Sequence, residues 1–371
     1  MVADKKMQTG SKLIRSQLER ILPGLLLFFL LSISNVMGQD KIEWSDLPAL
    51  PGETGWAGMY AGVSNNRLFC MGGANFPVAP PWEGGKKTWY DDIYMLEKGK
   101  QWIKIKEKLP VPLGYGTSVS YKQQLIIAGG NNADSYSDKV YSFQWNGKGL
   151  QTTAYPDLPV PLANMSGALL QNLFIIAGGS SAATGTALKK CYALDLENIQ
   201  QGWFEFDPWP GPERLLPLVT AFDGKFYVFS GEKVGLSAAQ VKFREILQDA
   251  YRLTPVKVNG KWCGSWEKLA PMPEGMSAGA SPVPVLKSDH FFFWGGVNAL
   301  TALNTDHNNE HALSKNTFLY DPATDTWKYL GAEQKSRSRV TLPTVHWNNE
   351  WAYISGEIRG GVRINTIVTI K

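Results

Sequence analysis

One carboxylate and two guanidinium groups lie close together near the C-terminus, in the segment Tyr353–Ile364 (YISGEIRGGVRI). Glu357 directly follows a glycine, and Arg359 and Arg363 come two and six residues later. A buried carboxylate near positive charge can act as a general base. An arginine fork can hold a substrate carboxylate through two parallel hydrogen bonds. The spacing is therefore compatible with an acid/base site that binds an anion, and equally with a structural ion pair.

Two other groups of residues could carry chemistry, and the sequence favours neither. Glu232 also follows a glycine, but the residue six positions later is Ala238, so we predict no matching guanidinium for it. His307 and His311 have the spacing of metal ligands on a helix. They lie in a polar, loop-like segment, however. The sequence therefore predicts no metal site.

The elements that must position these groups recur along the chain. Six apolar, strand-like segments each end in a small-residue pair, at Gly73, Gly130, Gly179, Gly231, Gly296 and Gly356. The intervals between them run from 49 to 65 residues. This is close to the kelch period of about 50 residues, in which each repeat is one four-stranded blade. The sequence predicts an all-β, six-bladed kelch-type β-propeller, because blades must pack around an axis to cover both their faces.

The last repeat lacks an outer strand that carries tryptophan. The segment KIEWSDLP near the start of the repeats contains Trp44 and has no blade of its own. We therefore predict that residues 40–48 form the outer strand of the sixth blade, which would close the propeller and remove an unpaired sheet edge.

Loops from all blades of a propeller converge at one mouth of the central channel. A lining of amides and carboxylates there suits a polyhydroxylated ligand, although a single asparagine often only satisfies a turn. In the loop after the first repeat, Trp89 could stack on a sugar face or pack against a neighbouring blade. The polar residues that follow the glycine pairs are Asn75, Asn131, Ser180, Glu232, Asn298 and Glu357.

Residues 1–38 differ in composition from the rest of the chain. Five basic residues precede the apolar run LPGLLLFFLLSISNVMG, a pattern that predicts a secretory signal peptide. The propeller domain is then predicted to occupy residues 39–371. Without the first 38 residues, 32 basic and 31 acidic residues remain. This near-neutral balance indicates neither a nucleic acid partner nor, after signal cleavage, a membrane surface.

The segment Glu357–Arg363 resembles the Gly-Glu…Gly-x-Arg motif of bacterial N-acetylneuraminate mutarotases, which are periplasmic kelch propellers. Further stretches are similar to the same family: GGANFP, KKTWYDDIY, PLGYGTSV, GGVN and YDPATDTW. The motif lies at the C-terminus here, so the chain resembles a cyclically permuted branch of that family.

The resemblance implies a mutarotase that interconverts the α and β anomers of N-acetylneuraminic acid or a related sialic acid, in the periplasm and without a cofactor. Glu357 would handle protons, and Arg363 would bind the sialic acid carboxylate. Further candidates for contact with the substrate are Asn75, Asn131, Asn298, Arg359 and Trp89. The sequence leaves the oligomeric state open.

Three alternative functions have different sequence signatures. A non-catalytic kelch module that binds glycan or protein would carry exposed aromatic residues without a preorganised carboxylate–guanidinium pair. A sialidase would carry Ser-x-Asp-x-Gly-x-Thr-Trp turns and an arginine triad, which the sequence lacks. A copper oxidase of propeller type needs histidine ligands, and the chain has only 4 histidines.

Overall fold

The computed structural model describes residues 42–183, 185–236, 242–303, 306, 313–333 and 338–371. The predicted signal peptide, residues 1–38, lies outside this part of the chain, as do His307 and His311. Everything below concerns the compact unit Trp44–Lys371. None of the described helices has the length and apolar character needed to cross a membrane.

Antiparallel strands dominate the unit, and the helices are single 3-10 turns. The strands up to the end of the second blade are β1 (Trp44–Leu47), β2 (Tyr60–Ser64), β3 (Arg67–Met71), β4 (Ala74–Asn75), β5 (Thr88–Trp89), β6 (Asp92–Leu96), β7 (Ile103–Lys108), β8 (Thr117–Tyr121), β9 (Gln124–Ala128), β10 (Val140–Trp145) and β11 (Leu150–Ala154). The third and fourth blades use β12 (Ser166–Leu170), β13 (Leu173–Ala177), β14 (Cys191–Asp195), β15 (Trp203–Glu205), β16 (Leu218–Phe222), β17 (Lys225–Phe229), β18 (Glu232–Leu236), β19 (Lys242–Ile246), β20 (Ala250–Val258) and β21 (Lys261–Leu269). The remainder are β22 (Phe291–Phe293), β23 (Asn316–Asp321), β24 (Thr326–Ala332), β25 (Thr344–Trp347), β26 (Glu350–Ile354), β27 (Glu357–Arg359), β28 (Val362–Arg363) and β29 (Ile367–Ile370). The 3-10 turns span Pro81–Glu83, Ile199–Gln201 and Thr301–Leu303.

The strands form six blades, which confirms the predicted propeller. In order from the inner strand outwards, the sheets are β2-β3-β6-β7, β8-β9-β10-β11, β12-β13-β14-β15, β16-β17-β20-β21, β22-β23-β24 and β25-β26-β29-β1. The fifth blade has a single bridge, Val285 to Phe291, where the others have a regular inner strand. The segment before that bridge contains Pro282 and Pro284. Proline has no backbone N–H to donate to a ladder, so a regular strand cannot form there.

A closed ring of backbone hydrogen bonds surrounds the propeller axis, and we call it the axial ring. In each blade, one residue just before the inner strand donates its N–H to the carbonyl of the equivalent residue in the preceding blade, at 2.7–3.2 Å. Each of these residues has a positive φ, between 49° and 66°. The ring closes after six steps through Gly58, Tyr115, Asn164, Leu216, Ala278 and Thr341.

The repeated glycine pairs sit where neighbouring blades touch. A Cβ on Gly72 would lie 2.4 Å from the carbonyl oxygen of Leu113, and one on Gly129 would lie 2.4 Å from that of Leu162. Both carbonyls belong to the segment that enters the next blade. Gly72 and Gly129 tolerate this approach together with a positive φ because they have no Cβ. In the fourth and sixth blades the equivalent residues are Ser230 and Ser355, which are small and also have a positive φ.

The N-terminal strand closes the sixth blade, as the sequence predicts. β1 pairs with β29 in antiparallel register, from Trp44 opposite Ile370 to Leu47 opposite Ile367. The Trp44 ring packs edge-on against Trp294, with 4.9 Å between centroids. Pairing the outer strand in this way gives the sixth blade four strands and covers the edge of β29.

Tryptophans at the outer strands join consecutive blades. The indole N–H of each donates to a backbone carbonyl at the end of the preceding blade, at distances from 2.6 to 3.1 Å. The donors and acceptors are Trp102 to Pro48, Trp203 to Pro156, Trp266 to Asp207 and Trp327 to Ala270. This repeated hydrogen bond explains why a tryptophan recurs in or next to the outer strand of these blades.

Candidate functional site

The residue that follows each glycine pair occupies an equivalent place in every blade, and we call these places the rim positions. Each is paired through a backbone bridge with a residue just before the inner strand of its own blade. They lie at the end of the channel where the inner strands begin. The rim positions are Ala74, Asn131, Ser180, Glu232, Val297 and Glu357.

Glu357 and Arg363 face each other across the short hairpin formed by β27 and β28. Nη2 of Arg363 lies 2.5 Å from Oε2 of Glu357. The Arg363 side chain is only 4% exposed, and that of Glu357 is 19% exposed. Within the described residues, Nε and Nη1 of Arg363 are buried and have no hydrogen-bond partner. Because a buried, unpaired guanidinium donor is costly, these two nitrogens indicate a place for an anionic ligand.

Three blades supply the walls around this pair. The loop of the first blade places the Phe76 ring 4.7 Å from the Arg363 guanidinium carbon. The same loop places Lys87 Nζ over the Tyr115 ring, 4.0 Å from its centroid. Tyr115 belongs to the axial ring, so the site borders the propeller axis. We call the cluster of Phe76, Lys87, Trp89, Tyr115, Asn131, Glu357 and Arg363 the Glu357 pocket.

The turn of the sixth-blade hairpin fits closely against the first-blade loop. Gly361 has a φ of +82°, and a Cβ there would lie 2.5 Å from Cδ of Pro81. The glycine therefore allows this loop to cover the hairpin, and the loop in turn brings Lys87 and Trp89 to the pair. The two parts are more than 270 residues apart in sequence and meet only because the propeller closes.

The electrostatics of the pocket differ from those of exposed side chains. Burial raises the pKa of Glu357 above its ordinary value of 4.5, although Arg363 and Lys87 oppose the increase. Burial and the Arg363 charge lower the pKa of Lys87 from 10.5 to about 8, against the influence of Glu357. Burial also raises the pKa of Tyr115, so its hydroxyl stays protonated at neutral pH. The pocket therefore holds a carboxylic acid whose pKa is raised and an amine whose pKa is lowered to about 8, as is common for groups in acid/base sites.

Two of the predicted contact residues lie one position beyond the rim. Asn75 follows the rim residue Ala74, and Asn298 follows Val297. Successive side chains of an extended strand point to opposite faces, so a shift of one residue changes what each contacts. Placing Asn75 and Asn298 in the same ring as Asn131 and Glu357 was wrong.

The contacts of these two asparagines are internal. Asn75 donates to Thr54 Oγ1 at 3.2 Å and to the Gly55 carbonyl at 3.1 Å, and it accepts from the Tyr90 hydroxyl at 2.7 Å. Oδ1 of Asn298 accepts from the Thr301 backbone N–H at 2.7 Å. Nothing in these contacts favours a substrate role, which remains a prediction for both.

The other predicted contact residues lie in or next to the pocket. Nε1 of Trp89 donates to Oδ1 of Asn131 at 3.3 Å, and the Trp89 ring centroid lies 5.0 Å from Lys87 Nζ. Arg359 is on the same hairpin as Glu357, and its buried Nε has no hydrogen-bond partner in the described residues. Their contact with a substrate stays a prediction.

Glu232 has a partner arginine at a longer offset, although Ala238 holds the position that matches Arg363. Arg244 of β19 donates to Glu232 Oε2 through Nε at 2.9 Å and Nη2 at 2.6 Å. Ser277 Oγ donates to the same oxygen at 2.6 Å. The arginine comes twelve residues later because the hairpin of β18 and β19 is longer, so a fixed offset did not detect it. All three of these bonds go to Oε2, so protein donors hold this oxygen of Glu232 in place.

Lys87, Tyr115 and Phe76 are the pocket residues that the sequence analysis did not identify. A signal for Lys87 was present in the stretch KKTWY, where a basic residue alternates with aromatic ones. No signal could distinguish Lys87 from the exposed Lys86, because the sequence does not show which of the two points towards the axis.

Two cavities lie along the channel. One of about 60 Å³ is lined by the axial ring and by Met59, Met165 and Pro217. The other, of about 370 Å³, lies towards the far ends of the inner strands. It is lined by apolar residues, by His346 and Trp351, and by the hydroxyl residues Ser118, Ser120, Thr220 and Thr344. Within the described residues, no group of three His, Cys, Asp or Glu side chains could hold a metal ion.

The chain is similar to a known protein family and to a solved structure. The profile of the N-acetylneuraminate epimerase family matches residues 31–152 and 155–309. A solved structure of YjhT superposes with a TM-score of 0.63 at 16% sequence identity, covering 88% of this chain and 99% of that one. At this identity the likeness concerns the fold alone.

Curated relatives named N-acetylneuraminate epimerase match parts of the chain. The protein from Haemophilus influenzae (strain 86-028NP) is 29% identical over 230 residues, 56% of this chain and 57% of the relative. That from Pasteurella multocida (strain Pm70) is 27% identical over 237 residues, 57% of each chain. That from Salmonella enteritidis PT4 (strain P125109) is 41% identical over 109 residues, 25% of this chain and 28% of the relative. The match thus spans little more than half of the length of the first two relatives and about a quarter of the third. Glu357 and Arg363 lie beyond the residues that the family profile matches.

Proposed function

Because this chain belongs to the N-acetylneuraminate epimerase family, we propose that it is a mutarotase. It interconverts the α and β anomers of N-acetylneuraminic acid or a related sialic acid. Glu357 transfers the protons, and Arg363 binds the carboxylate of the sugar. The reaction needs no cofactor, because it consists of proton transfers and the opening and closing of one C–O bond.

The observation that carries this proposal is the geometry of the Glu357–Arg363 pair. In a sialic acid the carboxylate and the anomeric hydroxyl are attached to the same carbon atom. A site for its anomeric chemistry must therefore place an anion-binding group directly beside a proton-transfer group. Arg363 offers two buried nitrogens without partners, and its third lies 2.5 Å from Glu357.

Anomer exchange then follows from proton transfers at two oxygens. Glu357 removes the proton of the anomeric hydroxyl, the bond between the anomeric carbon and the ring oxygen breaks, and the ring oxygen takes up a proton. The product is an open-chain keto acid. Rotation about the adjacent C–C bond exposes the other face of the carbonyl, and the same steps in reverse close the ring. One carboxylate, directly or through a water molecule, can serve both directions.

The walls of the pocket suit a sugar ring. Phe76 and Trp89 offer aromatic faces to the C–H side of a sugar, and Asn131 offers an amide for hydroxyl groups. Arg363 remains in place while the ring opens, since it holds the carboxylate rather than the ring. This keeps the open-chain intermediate bound until it closes again.

We also propose that the protein is exported to the periplasm. The support for this is the sequence of residues 1–38, in which basic residues precede a short apolar run. A periplasmic location would give the enzyme access to sialic acid before uptake. Expression of the full chain, followed by separation of periplasm and cytoplasm, tests this part.

The decisive test of the function is NMR of freshly released α-sialic acid with and without the protein. We expect the β anomer to appear faster in the presence of the protein, in proportion to its concentration. Sugar binding without any acceleration would instead support a non-catalytic kelch module. If the protein neither binds the sugar nor accelerates the exchange, the proposal is contradicted.

Replacing Arg363 by lysine is expected to weaken substrate binding. Lysine keeps the charge but loses the planar fork. A hydrogen bond to a charged group contributes about 1.5–3 kcal/mol, so the KM should rise about 10- to 100-fold. Arg244→Lys serves as a control, because Arg244 also forms an ion pair with a rim glutamate, Glu232, but has no place in the proposed site. An unchanged KM in Arg363→Lys would exclude Arg363 from carboxylate binding.

The decline of kcat/KM at acidic pH should reflect the protonation of Glu357. Its base form is lost as the pH falls through its pKa, and burial places that pKa above 4.5. We therefore expect kcat/KM to decline with a midpoint above pH 4.5, approaching a tenfold loss per pH unit. The spontaneous rate must be subtracted at each pH. A decline that begins only below pH 4.5 would contradict a buried carboxylate base.

A further inference from the structure

Lys87 has an unusual place for a lysine. It lies on the loop of the first blade that joins β3 to β6, and its ammonium group faces the Tyr115 ring at 4.0 Å and the Trp89 ring at 5.0 Å. An aromatic face attracts a cation, so the two rings hold the ammonium in a defined position. Its neighbour Lys86 is exposed. Lys87 is therefore built into the pocket rather than left on the surface.

The charges around Lys87 do not balance. The sixth-blade hairpin contributes Glu357 and Arg363, which already form an ion pair with each other. Tyr115, from the second blade, is neutral because burial raises its pKa. The ammonium of Lys87 therefore adds one positive charge to a pair that is neutral as a whole. Arg359 of the same hairpin adds to this positive charge. Uncompensated charge in a partly buried site is unfavourable, and a bound anion would reduce the excess.

We propose that Lys87 is a second cationic contact for the substrate carboxylate, opposite Arg363, and that it takes up a proton when the substrate binds. This inference rests on the proposed function and deepens it. The carboxylate lies between a guanidinium fork, which sets its orientation, and an ammonium held by two aromatic rings. A neutral sugar gains nothing from Lys87, so the residue contributes to selectivity for sugar acids.

The coupling to protons follows from the two states of the pocket. Without ligand, burial and the Arg363 charge lower the pKa of Lys87 to about 8. A carboxylate beside the ammonium favours the charged form and raises that pKa. At a pH between the pKa of Lys87 without ligand and its higher pKa with ligand, binding requires proton uptake. By linkage, the affinity then falls up to tenfold per pH unit as the pH increases. Below pH 8 the amine is already charged in both states, and the affinity no longer changes through Lys87.

The test is calorimetric titration of N-acetylneuraminate into the full protein at pH 7, 8, 9 and 10. Each titration is run in two buffers of different ionisation enthalpy, which gives the number of protons taken up. We expect uptake near pH 9 and an affinity that declines above pH 8. Lys87→Met should bind at least tenfold more weakly at pH 7 and show no uptake. Lys86→Met, the matched control, should behave as the unchanged protein.

A second variant and a second ligand make the test independent of folding defects. Lys87→Arg stays charged throughout this pH range, so its affinity should not decline between pH 8 and pH 10. The methyl ester of N-acetylneuraminate carries no charge, and its binding should not distinguish Lys87→Met from the unchanged protein. Melting curves verify that each variant is folded.

The outcomes separate this inference from the proposed function. Wild-type affinity that is independent of pH, or Lys87→Met that binds the acid as tightly as the wild type at pH 7, overturns the role of Lys87 alone. Acceleration of anomer exchange would then still support the mutarotase. If the wild type neither binds the acid nor accelerates exchange, both proposals fail together.

Discussion

Glu357→Gln is expected to lose most anomer exchange while it keeps the fold and binds the substrate. General acid/base catalysis by a positioned side chain contributes about 10²–10⁴-fold to the rate, and glutamine cannot take up the proton. The amide has nearly the same shape and retains a carbonyl oxygen that can accept from Arg363. Binding should persist, because Arg363 loses a competing carboxylate and remains available to the substrate. NMR of the anomers gives the rate, and calorimetry gives the affinity.

Glu232→Gln is the control that the fold offers for this experiment. Glu232 holds the same rim position in the fourth blade, follows a glycine, and forms an ion pair with Arg244. Its carboxylate is occupied by Arg244 and Ser277, and we assign it no part in the reaction. The rate of the folded Glu232→Gln protein should therefore equal that of the wild type. Full activity in Glu357→Gln would remove Glu357 from the mechanism.

Removal of residues 42–48 is expected to lower the melting temperature of the propeller strongly and to make its unfolding less cooperative. The deletion takes away β1 and exposes the edge of β29, with which it pairs over four residues. It also removes Trp44 from the cluster that contains Trp294 and Tyr353. Loss of a packed tryptophan alone costs about 3 kcal/mol or more. Since native domains are stable by only about 5–15 kcal/mol, the whole deletion should lower the melting temperature strongly.

A chain that begins at Ile42 is the appropriate reference, because it keeps β1 and differs from the test protein only in the closing segment. Calorimetric melting of the two proteins measures the effect. Adding a peptide of residues 42–48 to the shortened protein should raise its melting temperature again. Identical melting curves for the two chains would show that the N-terminal strand does not hold the propeller together.

Closure and the candidate site are physically connected. The segment after β1 passes next to β28, where Asn365 donates to the carbonyls of Leu50 and Gly52 at 3.0 and 2.6 Å. A Cβ on Gly55 would lie 1.8 Å from the Ile364 carbonyl oxygen. Because Ile364 directly follows Arg363, the contacts that join the chain ends also hold the guanidinium in place. A weakened closure should therefore reduce substrate affinity before the protein unfolds.

The sequence by itself determined the number of blades, the closing strand and the Glu357–Arg363 pair. These features are periodic or local: a small-residue pair that ends in glycine recurs in every blade, and Arg363 follows Glu357 by six residues on one hairpin. Such patterns survive in sequence because the same short-range packing is repeated in each blade.

Only the tertiary structure decided which residues surround that pair. Asn75 and Asn298 lie one residue beyond the rim positions. The side of a strand on which a side chain lies depends on its register with other segments, and the sequence does not show that register. Arg244 reaches Glu232 through a longer hairpin, and Lys87 reaches Glu357 across the closed ring. Contacts between residues so far apart depend on the path of the whole chain, and neither composition nor spacing records that path.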